Sequence, residues 1–161
     1  MRNKNVVFLT QAAMIAAIYV VLTYMFAPFS FGEVQVRIAE ALTILPVFTP
    51  AAVPGLFAGC FIGNILGGAI LPDIIFGSIA TLIGAFFTWK LGERNPLFAP
   101  FPPILANTVI VPFVLRFGYG VPLPIPFMMI TVGVGEVLSC GVLGLVLYFA
   151  LRKYKCMLRT A

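Results

Sequence analysis

Histidine is missing from this chain, and only five of its 161 residues are acidic. The first absence removes a histidine-based zinc site and a histidine general base. Charged residues make up 9% of the sequence, against roughly 25% in a soluble domain. No G-x-x-x-x-G-K-[ST] phosphate loop occurs, so the chain does not bind ATP in that way. Cys60, Cys140 and Cys156 are scattered without C-x-x-C spacing, and no disulfide framework is expected. No internal repeat is evident. The apolar run from Val6 to Ala27 exceeds the roughly 7–15 residues of a signal peptide's apolar region. No small-x-small cleavage site follows it before Pro28, so it reads as a retained first span.

What is present is apolar. Hydrophobic residues reach 61% and the mean hydropathy is +1.10, which makes this an all-α integral membrane protein in a lipid bilayer. The length allows one domain, residues 1–161, and no separate soluble module. The net charge of +5 does not point to nucleic acid, because the basic residues gather at the two ends and read as a topology signal. Helices are expected over about residues 6–27, 37–48, 51–69, 73–90, 104–117 and 127–151. Basic residues at both ends, and Lys90 with Arg94, place the termini and that loop in the cytoplasm. Six crossings follow, with Arg37 and Arg116 toward the exterior.

Small residues mark the packing faces. Ala12, Ala13, Ala16 and Ala17 form two overlapping Ala-x-x-x-Ala pairs on helix 1, a strip that another helix can approach closely. It serves either internal packing or the docking of a separate membrane subunit. Gly55, Gly59, Gly63 and Gly67 form a stripe down helix 3 for close packing. Asp73 is placed to cap helix 4, and Trp89 with Lys90 reads as an interfacial anchor.

Polar groups at membrane depth are few: Gln35, Arg37, Glu40, Asn64, Asn107 and Glu136. Arg37 and Glu40, three apart, are expected to share a helical face and pair. An ionised carboxylate at a helix centre costs about 2.5–3.5 kcal/mol on insertion scales, so Glu136 stands out. Carboxylates with carboxamides among phenylalanines suit a planar, nitrogen-rich heterocycle. A carboxylate accepts the N1–H and 2-amino edge of a guanine-like ring, an Asn or Gln serves another edge, and aromatic faces stack. The same inventory also suits a proton relay.

The run FGEVQVRIAEALTILP, with GNILGG, PDIIFGSIATLIGA, Asn107 and Glu136, resembles the QueT-type queuosine-precursor transporters. These are substrate-binding S components of energy-coupling-factor (ECF) transporters. The resemblance covers nearly the whole chain. It implies a six-helix, multi-pass protein of a bacterial plasma membrane that binds a deazapurine from outside. It also implies that the energy comes from a transmembrane T subunit and two cytoplasmic ATPases. It further implies that the Ala12, Ala13, Ala16 and Ala17 strip docks the T subunit, and that residues near Phe29 to Gln35 close over the substrate. Glu136, Glu40, Asn107, Asn64, Gln35 and Arg37 are the candidate substrate-binding residues. No catalytic residue, cofactor or metal site is expected. The main rival is a small proton-coupled transporter working as a homodimer, with Glu136 or Glu40 carrying the proton. A membrane-embedded enzyme is the remaining alternative, and the lack of histidine and of a clustered Asp/Glu metal site speaks against it.

Overall fold

The structure, a computed structural model, describes residues 4–26, 37–92 and 95–154. The described residues form helices and turns, without strands. α1 is Lys4–Met25 and α2 is a 3-10 helix, Ile38–Val47. α3 is Ala52–Leu66 and α4 is Leu71–Gly92. α5 runs Phe101–Phe113 and widens into a π-helical turn, Val114–Gly118. α6 is built from Ile125–Glu136, a π-helical turn Val137–Leu143, and Gly144–Leu151.

Four of these segments are long and apolar enough to span a bilayer: Lys4–Met25, Leu71–Gly92, Pro96–Gly118 and Ile125–Tyr154. α2 and α3 are shorter, at 10 and 15 residues. Six full-length spans are therefore not what forms. Pro46 near the end of α2, and the tight turn after α3, stop both segments early. In that turn Gly68 takes φ 75, and the amides of Gly68 and Ala69 donate to the carbonyls of Ile65 and Asn64. A residue with a Cβ resists this left-handed position. Proline sits instead at helix starts, in the first turns of α4, α5 and α6, where its missing N–H goes unnoticed.

Successive helices run in opposite directions. Residues Gly55 and Gly59 of α3 lie against Ala12, Ala16 and Tyr19 of α1, and Gly63 lies against Thr23. Gly84 of α4 meets Pro103 of α5, and Gly144 of α6 meets Ala41 and Ile44 of α2. Thr49 donates to the Gln11 side chain at 2.9 Å, and the Phe48 and Tyr148 rings meet at a tilt with centroids 5.5 Å apart. The start of α1 and the end of α6 thus share one end of the bundle, with Lys90 at that end of α4. α2 is the central element, packed against α1, α3, α4 and α6.

The surface and interior are exchanged relative to a soluble protein. Leu9, Met14, Phe76, Phe87, Ile130 and Val146 are exposed, whereas Arg37, Glu40, Asn64, Asp73, Asn107 and Glu136 are buried. An apolar exterior around a polar interior is what a lipid solvent requires. This is a multi-pass membrane protein.

The glycine seam can be tested. A Cβ on Gly59 would lie 2.7 Å from Tyr19 Cβ and 3.1 Å from Ala16 Cα. Gly59→Ala is expected to destabilise by about 1–3 kcal/mol through overpacking. Gly141→Ala meets only ordinary contacts, 3.7 Å and beyond, and serves as control. Equal thermal midpoints for the two variants in detergent would contradict a tight α1–α3 seam.

Candidate functional site

Five helices, α1, α2, α4, α5 and α6, bring the buried polar groups together. α2 supplies Glu40, which is fully buried. Its Oε1 accepts from the Tyr19 hydroxyl on α1 and from Thr81 on α4 at 3.3 Å. Its Oε2 is buried without a hydrogen-bond partner among the described residues. α6 supplies Glu136, whose Oε2 accepts from Cys140 Sγ at 3.2 Å and whose carboxylate also interacts with the Asn107 side chain of α5. Cys140 and Thr43 are themselves in contact at 3.4 Å. Ligand atoms of Glu40, Glu136 and Cys140 all lie within 4.8 Å of one another.

This proximity makes neighbours of Glu40 and Glu136, and it corrects one expectation. An acidic cluster exists after all, because α6 packs directly on α2. Its third potential ligand is a thiol that no spacing in the sequence had marked.

A second group lies toward the bundle end away from the described chain ends. Arg37 pairs with Asp73, Nη2 to Oδ2 at 3.4 Å, and the Tyr119 hydroxyl donates to the same oxygen at 3.0 Å. Asp73 Oδ1 is buried with no hydrogen-bond partner among the described residues. Asn64 Nδ2 donates to the Asp73 carbonyl at 3.3 Å, tying the end of α3 to the start of α4. Burial, and then the Asp73 carboxylate, push the Tyr119 phenol above its ordinary value, which keeps it a donor.

The expected Arg37–Glu40 pair does not form. Arg37 precedes α2 with extended backbone, φ −88 and ψ 96, so the three-residue helical spacing does not govern its direction. Asp73 is likewise no cap. It is the third residue of α4, already inside the first turn, and its carboxylate is turned to Arg37 and Tyr119. Gly77, one turn further, leaves room beside this group. A Cβ there would lie 3.1 Å from Asp73 Oδ1 and 3.2 Å from Asn64 Nδ2. Gln35, and the segment Phe29 to Gln35 expected to close over a substrate, lie outside the described residues.

The alanine strip divides. Ala12 and Ala16 are buried against the α3 glycines, while Ala13 and Ala17 face outward. Two Ala-x-x-x-Ala pairs offset by one residue point about 100° apart on a helix, so one partner cannot take both.

Tyr19, Thr81, Asp73 and Cys140 belong to the site although the sequence reading did not name them for it. The usable signal was Tyr19: a phenol inside an apolar span needs a partner.

A family profile described as "QueT transporter" matches residues 9–153. The chain is also 29% identical over 85 residues to "Queuosine precursor transporter QueT" of Lactococcus lactis subsp. cremoris (strain MG1363). That match covers 52% of this chain and 50% of the relative, so the chain spans about half the length of the relative it matches. No solved structure matches the chain. With its four long apolar helices and buried carboxylate–carboxamide interior, matched by the profile over most of its length, the chain belongs to the QueT transporter family.

Proposed function

We propose that the chain is the substrate-binding S component of an ECF importer that takes up a queuosine precursor, a 7-deazaguanine, across a bacterial plasma membrane. The observation that carries this reading is the buried array of Glu40, Glu136, Asn107, Asn64, Arg37 and Asp73 inside an otherwise apolar bundle. It offers acceptors for ring N–H groups and amides for the remaining ring edges, and it rejects ligands that leave those groups unpaired. The name printed for the Lactococcus relative supports the substrate class.

Six crossings with cytoplasmic termini, in one domain, fit the alternating helices. Lys4, Lys90, Arg152 and Lys153 belong to the same bundle end. Docking of the T subunit falls to the outward pair Ala13 and Ala17. T-subunit and ATPase partners account for the missing phosphate loop.

The reading is tested by calorimetric titration of the purified chain with 7-deazaguanines and with guanine. Failure of every deazaguanine to bind removes it. The docking face has its own prediction. Ala13→Trp and Ala17→Trp are expected to abolish uptake and co-purification with the T subunit while ligand binding by the isolated chain persists. Normal assembly of both variants would leave the pair facing only lipid.

The closeness of Glu40 and Glu136 also favours the rival, a proton-coupled homodimer with one of the two as carrier. Uptake that collapses with the proton gradient, yet needs no ATPase subunit, decides for that rival.

A further inference from the structure

α4 and α5 touch where Gly84 meets Pro103, and a Cβ on Gly84 would lie 2.7 Å from Pro103 Cα. Outward of that contact the two helices leave a groove of about 810 Å³. Ile83 and Phe87 wall it on the α4 side, Phe101 and Leu105 on the α5 side, and all four are exposed. Ala106 lines it too, with a side chain too short to fill it. At its inner end Val109 and Ile110 also line a second recess of about 440 Å³, which continues toward Phe113 and Phe117. The two halves differ in charge. Lys90 rims the first, at the bundle end that holds Lys4, Arg152 and Lys153, whereas apolar residues and Gly118 line the second.

Depth and lining say what fits. From Lys90 back to Ile83, α4 rises about 11 Å, and from Phe101 to Ile110, α5 rises about 14 Å. One leaflet contributes about 15 Å to a hydrocarbon core of about 30 Å. Helices that pack within a bilayer meet over small residues, as α1 and α3 do here. Walls of Phe and branched aliphatic side chains suit a flexible chain instead. The Lys90 ammonium lies 4.9 Å from the Trp89 ring centroid and 6.0 Å from that of Phe86. No carboxylate pairs with it among the described residues. Ring contacts leave N–H donors of the ammonium for an oxygen acceptor. Pro102 and Pro103 take two amides out of the first turn of α5, so the charge at this rim is the lysine's to supply.

We propose that this groove holds one anionic glycerophospholipid, with an acyl chain along α4 and α5 and its phosphate on Lys90. The site lies outside the polar interior. A zwitterionic lipid can fill the same groove, but its own ammonium offsets the attraction of its phosphate to Lys90.

The test gives the purified full chain, in mild detergent, equal amounts of phosphatidylglycerol and phosphatidylcholine with the same acyl chains. Native mass spectrometry reads which lipid is retained. Wild type is expected to keep one phosphatidylglycerol in about fivefold preference. Lys90→Gln brings that ratio to about one. Ala106→Trp, which fills the groove and leaves the charge, loses both lipids. Lys153→Gln, whose ammonium lies over Tyr154 rather than in the groove, keeps the wild-type ratio. Melting curves check the folding of each variant. A ratio near one in wild type overturns the proposal, as does a preference that Lys90→Gln keeps or that Lys153→Gln equally loses. Retention by folded Ala106→Trp equal to wild type overturns it too. A photoreactive side chain in place of exposed Leu105 gives a reading that does not depend on that variant. Irradiation in the native membrane should add the mass of one lipid. A polypeptide cross-linked there instead, whether a second copy or a partner subunit, refutes the lipid assignment.

Discussion

Glu136→Gln and Glu40→Gln are each expected to weaken binding of the proposed deazaguanine substrate by about 10- to 150-fold. The loss of a charged acceptor from a buried donor costs about 1.5–3 kcal/mol, and each 1.4 kcal/mol or so is a factor of ten. Gln keeps the volume but replaces one acceptor oxygen by an N–H₂ donor. The two sites differ in what that donor meets. At Glu40 the new amide faces the Tyr19 and Thr81 hydroxyls, which now donate to Oε1. At Glu136 it faces the Cys140 thiol. Hydroxyls and thiols can reverse as acceptors, so the folded chain tolerates either change better than the ligand does. Calorimetry on both variants, with melting curves as the folding check, measures this. Affinities within about twofold of wild type in both would take the carboxylates out of the binding site.

The largest effect on stability is expected at the other end of the polar interior. Asp73→Ala leaves the Arg37 guanidinium buried without its carboxylate and takes the acceptor from Tyr119. Arg37→Leu strands the Asp73 carboxylate in the same way. Breaking a buried pair by removing one partner costs about 3–5 kcal/mol, because a charge remains without compensation. Replacing both partners removes the stranded charge, so Arg37→Leu/Asp73→Leu should melt above either single variant. This crossed pattern distinguishes an ion pair from two independent packing contacts, whose losses add. Thermal midpoints of the four proteins in detergent decide it. A double variant as unstable as the sum of the two singles refutes the pairing.

Much of the fold was legible because membrane helices announce themselves by length and apolarity. Close packing along α3 was legible as well, since glycine every fourth residue has few other causes, although its partner was not. The carboxylate pair was not. Glu40 and Glu136 lie far apart in the chain, and their meeting depends on α6 crossing α2. Asp73 was misread because a local rule, an acid near a helix start, competed with a distant arginine, and the buried charge prevailed. The alanine strip carried two overlapping periodicities of four. Sequence alone could not say that the glycines of α3 would claim Ala12 and Ala16 and leave Ala13 and Ala17 outside.

The winding of α2 has a mechanical consequence. At about 2.0 Å per residue, ten residues in a 3-10 helix extend about 20 Å. The fifteen residues of α3, at about 1.5 Å each, reach about 22 Å. A segment two-thirds as long therefore bridges nearly the same depth, at the expense of poorer hydrogen-bond geometry. Rewound as an α-helix, the same ten residues would measure about 15 Å. The element that carries Glu40, and that Arg37 immediately precedes, thus holds an extension of about 5 Å that it can give up without gaining or losing a residue. The depth that α2 bridges beside the side chains at the centre of the molecule is therefore set by its winding as much as by its length.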